Sequence, residues 1–170
     1  DRNKIALQSD ILGANALGIK NILCITGDSV KAGDQQNTKA VHEFESVKLL
    51  KQIQSFNNGI DPSYELLSDN KTSIFAGAAA DPSYKNLKIL KMRTKQKKEA
   101  GARFIQTQMI MDKKFLSDFC DKISKPLKLP VLAGVFLLKS YKNALFINKF
   151  VPGANIPDHI LNRLKESNNP

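Results

Sequence analysis

Cysteine and histidine are scarce in this chain, with two of each in 170 residues. Two cysteines, Cys24 and Cys120, cannot frame a disulfide-stapled mini-protein. They sit in the segments ILCIT and FCDKI, and both read as buried thiols of a reducing compartment. His42 and His159 are isolated and far from either cysteine, so no metal-ligand cluster is expected. Neither histidine is assigned a catalytic role, and no Ser/His/Asp or Cys/His arrangement can be assembled. No stretch approaches the roughly 18 uninterrupted apolar residues of a membrane span, so no membrane association is expected. No strand is followed by GxGxxG, and no GxxxxGK with a following Ser or Thr occurs, which removes the dinucleotide fingerprint and the P-loop.

Acidic residues are outnumbered, 16 against 26 basic ones, giving a net charge of +10 and a pI near 9.6. Such a balance attracts anions: nucleic acid, acidic lipid, or a phosphorylated or polycarboxylate ligand. It also describes a lysine-rich solvated surface. Nucleic-acid binding calls for interleaved aromatics or a known module, and neither is present, so no nucleic-acid partner is expected. Hydrophobic residues at 42% and charged residues at 25% are ordinary for a globular chain. The length suits one domain or a piece of a larger one. The chain opens DRNKI, without an initiator Met or signal peptide, and reads as part of something longer.

Periodicity alternates along the chain. Residues 3–17 read as a helix with Ile5, Leu12 and Ala16 on one face and Gly18 as its stop. NILCIT, 21–26, is a short apolar run that reads as a buried strand. Residues 29–39 are polar and glycine-bearing and read as a loop. Phe44, Val47, Leu50 and Ile53 place a helix over 40–56, and 56–71 is a turn-rich connection. SIFAGAAA, 73–80, is a strand of small residues that allow close approach. A helix over 82–99 has Pro82 in its first turn. RFIQTQM, 103–109, is the next strand. A helix opening at Asp112 or Lys113 carries Phe115, Leu116, Phe119, Cys120 and Ile123 on its apolar face. Pro126 and Pro130 bracket a loop, and PVLAGVFL over 130–137 is a fourth strand. Ser140 caps a helix reaching Phe150, and Pro157 opens a last one ending near Glu166. Phe136, Tyr141 and Phe146 read as packing residues. Four buried strands separated by helices demand a parallel sheet, either doubly wound or a (β/α) barrel.

In α/β proteins functional groups gather beyond the carboxyl ends of the strands. Thr26-Gly27-Asp28 offers a hydroxyl, a bare backbone and a carboxylate that can accept from a heterocycle N–H; it also reads as an ordinary Gly-Asp turn. The second strand ends near Ala80-Asp81. Gln108 lies in an otherwise apolar strand, and its amide suits either a heterocycle edge or a neighbouring loop. Lys85, Lys88, Lys91, Arg93, Lys95, Lys97 and Lys98 make a strongly basic helix. It reads as a solvated outer surface or as the source of one lysine near ligand phosphates.

Three segments then point to a family. DRNKIALQSDILGANALGIKNILCITGD, EAGARFIQTQMIMD and LPVLAGVFLLKSYKNALFINKFVPGANIP resemble, in order, parts of the methylenetetrahydrofolate reductases. The resemblance is closest to the reductase half of bifunctional homocysteine methyltransferase/methylenetetrahydrofolate reductase proteins. It implies a (β/α)8 TIM-type barrel holding FAD and reduction of 5,10-methylenetetrahydrofolate to 5-methyltetrahydrofolate with NAD(P)H, in the cytoplasm. It implies Thr26, Gly27, Asp28, Ala80 and Lys97 as cofactor contacts, with Lys97 near the FAD phosphates. It implies Asp28 and Gln108 as catalytic groups and Asp28, Gln108 and Asn143 as folate contacts, with Asp81 where relatives carry Asn or His.

The same resemblance matches residues 1–170 to strands four to seven only, a partial barrel within a larger reductase domain. The family's proton-donating glutamate belongs to its first strand, so the 170 residues alone are expected to be inactive, completed by the missing strands or as a homo-oligomer. Two alternatives remain: a non-catalytic folate- or flavin-binding module or subunit, and a basic nucleic-acid-binding domain supported by charge alone.

Overall fold

A computed structural model describes residues 2–35, 37–61, 63, 71–151 and 153–167. Four strands, β1 (Asn21–Cys24), β2 (Phe75–Ala80), β3 (Phe104–Met109) and β4 (Val131–Gly134), form one sheet in the order β1-β2-β3-β4. Every pairing is parallel. The intervening helices are α1 (Lys4–Ala16), α2 (Ser46–Asn57), α3 (Leu87–Glu99) and α4 (Lys113–Phe119). After α4 the helix runs through a π turn, Cys120–Ser124, into the short α5 (Lys125–Leu127). α6 (Tyr141–Phe150) and α7 (Asp158–Glu166) follow β4.

One core lies between the sheet and the helices. Cys24, Ala76, Ala78 and Ile105 meet Ile11 of α1, Leu50, Ile53 and Phe56 of α2, Leu90 of α3, and Phe119 with Ile123 beyond. Alternate strand residues emerge on the opposite face, where Phe75, Gln106, Gln108 and Leu132 are exposed. There Phe104 lies flat beside Phe75, ring centroids 5.6 Å apart. Gly77 makes room for it, since a Cβ at that position would fall 2.2 Å from the Phe104 ring. A smaller cluster of Ala144, Ile147 and Ile156 joins α6 to α7.

Side-chain amides fasten the loops to this frame. Asn57, at the end of α2, donates to the Ile74 carbonyl (2.9 Å) and accepts from Ile74 N–H (2.9 Å) and the Thr72 hydroxyl (2.6 Å). Asn148 repeats the device, exchanging two hydrogen bonds with the backbone of Ile156.

Several elements depart from the periodicity. Ile5, Leu12 and Ala16 are exposed, and α1 buries Ile11 instead. α2 starts at Ser46 because the Thr26 hydroxyl accepts from Ser46 N–H (3.2 Å), while its N-cap Glu45 supplies no side-chain cap. α3 starts five residues after Pro82: Asp81 binds Ser83 N–H and hydroxyl in a turn, and the Asn86 side chain caps Ile89 N–H instead. Pro126 lies inside α5, not in a loop. Proline leaves the carbonyl four residues earlier without a donor, and the π turn falls where that deficit arises.

β1 ends at Cys24, short of Thr26, where its pairing with β2 stops. β4 ends at Gly134, and Val135 and Leu137 are 86% and 80% exposed, because the backbone pairing with the β3 side stops at the bond from Ile110 N–H to the Gly134 carbonyl. Phe136 is also exposed and does not serve the packing assigned to it; Phe146, though exposed, packs against Phe150 with ring centroids 4.8 Å apart, and Tyr141 is half-buried. Of the thiols, Cys24 is fully buried and Cys120 only half-buried. Burial pushes the Cys24 pKa up to about 12, so this thiol stays protonated and unreactive. Residues 62 and 64–70 of the expected connection lie outside the described residues. Gly18 closes α1 at φ +81°, in the left-handed region as its position required.

Replacing Asn57 with Ala strands the Ile74 amide and carbonyl together. We expect a loss of about 2 kcal/mol in urea unfolding; a change below about 0.5 kcal/mol would show that water replaces the side chain there.

Candidate functional site

The carboxyl ends of the strands carry one cavity of about 350 Å³, bounded by β1, β2, β3 and α3. Leu23, Ala79, Ala80 and Asp81 form one wall, Gln106 and Gln108 another, and Arg93 with Lys97 the rim from the helix. Small residues at the end of β2 are what leave the space open.

Arg93 and Lys97 are four residues apart on α3, so both present cations to the same opening. Tyr84 steadies the guanidinium, which lies 5.3 Å from its ring centroid. The Lys97 ammonium donates to the Ala79 carbonyl at 2.7 Å. Burial, and then the charge of Arg93, hold its pKa below the usual 10.5. Lys98, the next residue, points elsewhere and donates to the Leu127 carbonyl. Two neighbouring cations, one of them desolvated, form a site that favours an anion.

Gln108 lies inside a bulge of β3, and the strand's ordinary alternation carries it to the same face as Gln106. Gln106 pairs with Leu132 and Met109 with Gly134, so three steps along β3 match two along β4. The Thr107 hydroxyl accepts from Gly134 N–H at 2.9 Å and closes the irregular stretch. Only glycine fits at 134, since a Cβ there would lie 2.9 Å from the Thr107 carbonyl oxygen. Within the bulge, Gln108 accepts a hydrogen bond from Met109 N–H through Oε1 at 3.0 Å. A Cβ at Gly153 would lie 3.4 Å from the Gln108 Nε2.

Among the residues singled out from sequence, the structure brings Ala80, Lys97 and Gln108 to this cavity, with Asp81 beside them. Thr26, Gly27, Asp28 and Asn143 do not line it. Thr26 caps α2 from the preceding loop. Gly27 has φ +82°, which favours glycine. Asp28 is exposed and borders a separate cleft that runs to Lys39. Asn143 forms a reciprocal cap at the start of α6: its N–H donates to the Ser140 hydroxyl, and its Oδ1 accepts from Lys139 N–H. Arg93 was named from sequence only as one cation of the basic helix and Gln106 only as a member of the third strand; Tyr84, Thr94 and Thr107 also line the cavity and were given no role. The spacing of Arg93 and Lys97 carried the signal for Arg93, masked by five further lysines on the segment. Among the described residues no group of His, Cys, Asp and Glu could hold a metal ion. No helix among them is long and apolar enough to cross a membrane.

At the carboxyl end of this parallel α/β sheet, cations and amides thus converge on one opening, with the chemistry to meet an anionic group and hydrogen-bonding edges. The family model for methylenetetrahydrofolate reductase matches residues 1–170, and the chain belongs to that family. No curated protein matches the chain significantly.

Because the folded-state pKa of Lys97 is lowered, the folded chain binds fewer protons than the unfolded one just below pH 10.5. Its contribution to stability therefore rises with pH through that interval. In an NMR titration of the lysine side chains, Lys97 should lose its proton before the exposed lysines. Arg93→Gln should move its pKa upward; an unchanged value would show that the two cations do not share the site.

Proposed function

We propose that the protein works as a flavin-dependent methylenetetrahydrofolate reductase, reducing 5,10-methylenetetrahydrofolate to 5-methyltetrahydrofolate with FAD as cofactor and NAD(P)H as electron source. The observation that carries this reading is the convergence of Arg93, Lys97 and Gln108 on one cavity in a chain of that family. The donor set suits such a cofactor: two cations for a pyrophosphate, small residues for a ring to lie against, and amides for its polar edge.

A bound flavin would supply the two-electron transfer between nicotinamide and folate. The chain's own residues bind and orient. Arg93 and Lys97 neutralise phosphate oxygens, and the Ala79 carbonyl holds the ammonium in place. Ala79 and Ala80 keep the strand end free of bulk. Gln108 presents Nε2 to the reacting heterocycle, because Met109 N–H already engages its oxygen. The resemblance adds Thr26, Gly27 and Asp28 beside the cofactor, Asp28 accepting from a ring N–H of the folate, and Asn143 as a folate contact. The charge of +10 is compatible with a polyglutamylated folate.

On this reading the sheet is part of a closed (β/α)8 barrel, corresponding to strands four to seven, and 1–170 is a portion of the reductase domain. An open apolar face and two unpaired parallel edges support that placement. Further strands or a second copy complete the wall. The 170 residues alone do not turn over folate, since the resemblance assigns the proton donor to another strand. The resemblance of the three segments extends to reductases fused to a homocysteine methyltransferase, which would place the activity in the service of methionine synthesis. Free thiols are in keeping with the cytoplasm.

The test is a titration of FAD into the full-length protein, followed by flavin fluorescence. Saturable binding is expected, and Lys97→Met should weaken it about tenfold or more, as loss of a charge-assisted hydrogen bond does. Absence of binding by the unmodified protein would remove the flavin from the account.

A further inference from the structure

We infer that Gln106 is a binding residue that reads the amide-type edge of the planar heterocycle entering the cavity, a carbonyl next to a ring or amide N–H. The inference rests on the reading above that such a ring enters there.

Gln106 lies in the middle of β3, where alternation sends Ile105 and Thr107 to the helices and Gln106 to the open face. Its neighbours across the sheet are Ala79 and Leu132, in register on either side. An amide between a methyl and an isobutyl group has no polar neighbour in the sheet, and none of the described residues hydrogen-bonds its side chain. Ala79 contributes only a methyl group, so the space beside the amide on that side is part of the cavity.

The two glutamines of the wall are not equivalent. Gln108 spends one lone pair of its carbonyl on Met109 N–H, which leaves it chiefly a donor. Gln106 keeps a free oxygen and a free NH₂ side by side. A glutamine in that state can make two parallel hydrogen bonds to an edge that offers one acceptor and one donor, as glutamine does with adenine. Residues two apart on a strand are separated by roughly 6.5 Å, so the two amides address different atoms of a ligand. Gln108 stands at the mouth and Gln106 one step deeper. The pyrimidine portion of a flavin, the pterin of a folate and the carboxamide of a nicotinamide all present such an edge.

The probes are FAD, 5-methyltetrahydrofolate and NADH, each titrated separately into the full-length protein and its Gln106→Leu, Gln106→Met and Gln106→Glu variants. Leu and Met keep the bulk of the side chain and remove both hydrogen-bonding groups; Glu keeps the acceptor and loses the donor. The expected result is a loss of about tenfold in affinity for one probe in all three variants, with the others unchanged and the melting temperature preserved. The probe affected identifies the ring. Equal affinities throughout, with the unmodified protein binding its probes, would overturn the role of Gln106 and leave the proposed function standing. Weakening of every probe together with a lowered melting temperature would assign Gln106 a structural role and also overturn it. If the unmodified protein binds none of the three, the reading of the cavity fails and this inference fails with it.

Discussion

The contact on which the site depends is the hydrogen bond from Gly134 N–H to the Thr107 hydroxyl. β3 and β4 disagree by one residue there, and a bulge alone would leave a backbone donor of the edge strand without a partner. The Thr107 side chain takes the place of the missing ladder carbonyl. The absence of a side chain at Gly134 lets the strands close over the irregularity. Pairing then resumes at once, with Ile110 N–H donating to the Gly134 carbonyl at 2.8 Å. A bulge at this point sets how Gln108 lies relative to β4, since no residue of β4 pairs with it. Substituting Gly134 therefore acts on the cavity wall from a position that does not line it, whereas Thr107 is itself part of the lining.

A second constraint is that the core lies on one face of the sheet. Parallel strands need crossover helices, and α1 to α4 all contribute to the same apolar layer. The other face carries Phe75, Phe104, Leu132 and the two glutamines. Its polar members cluster toward the carboxyl ends and its aromatics toward the amino ends. That gradient places hydrogen-bonding capacity at the end where α3 brings Arg93 and Lys97. Lys97 couples the layers, since its ammonium reaches from the helix to the Ala79 carbonyl at the end of β2. Charge, ledge and amides belong to one local unit, built from β2, α3 and β3.

The order of elements was legible because each strand is a short apolar run and each long helix repeats at helical spacing. Ser140 and Pro157 marked helix starts correctly, through side-chain capping in one case and backbone geometry in the other. Boundaries failed where a distant partner decided them. Nothing near Phe44 announces that Thr26 caps α2 at Ser46, and nothing in VFLL announces that the pairing with the β3 side stops at Gly134. The same limit applied to the site. Ala80, Lys97 and Gln108 were accessible from strand ends and family likeness, and they meet in one cavity. Arg93 was hidden in a run of lysines because sequence spacing does not report which cations of the helix turn toward the strand ends. Gln106 was passed over because its meaning depends on two cross-strand neighbours, Ala79 and Leu132, that are distant in sequence. Residues 26–28 illustrate the converse: the motif is conspicuous, yet Thr26 is engaged in capping and Asp28 borders a different cleft.

The central claim is that one ligand spans the cations of α3 and the amides of β3. The most direct measurement is the set of side-chain amide and lysine NMR signals of the full-length protein on addition of FAD. The account predicts that Gln106, Gln108 and Lys97 shift together and saturate at the same ligand concentration. Shifts confined to the cleft between Asp28 and Lys39, with those three signals unmoved, would contradict it.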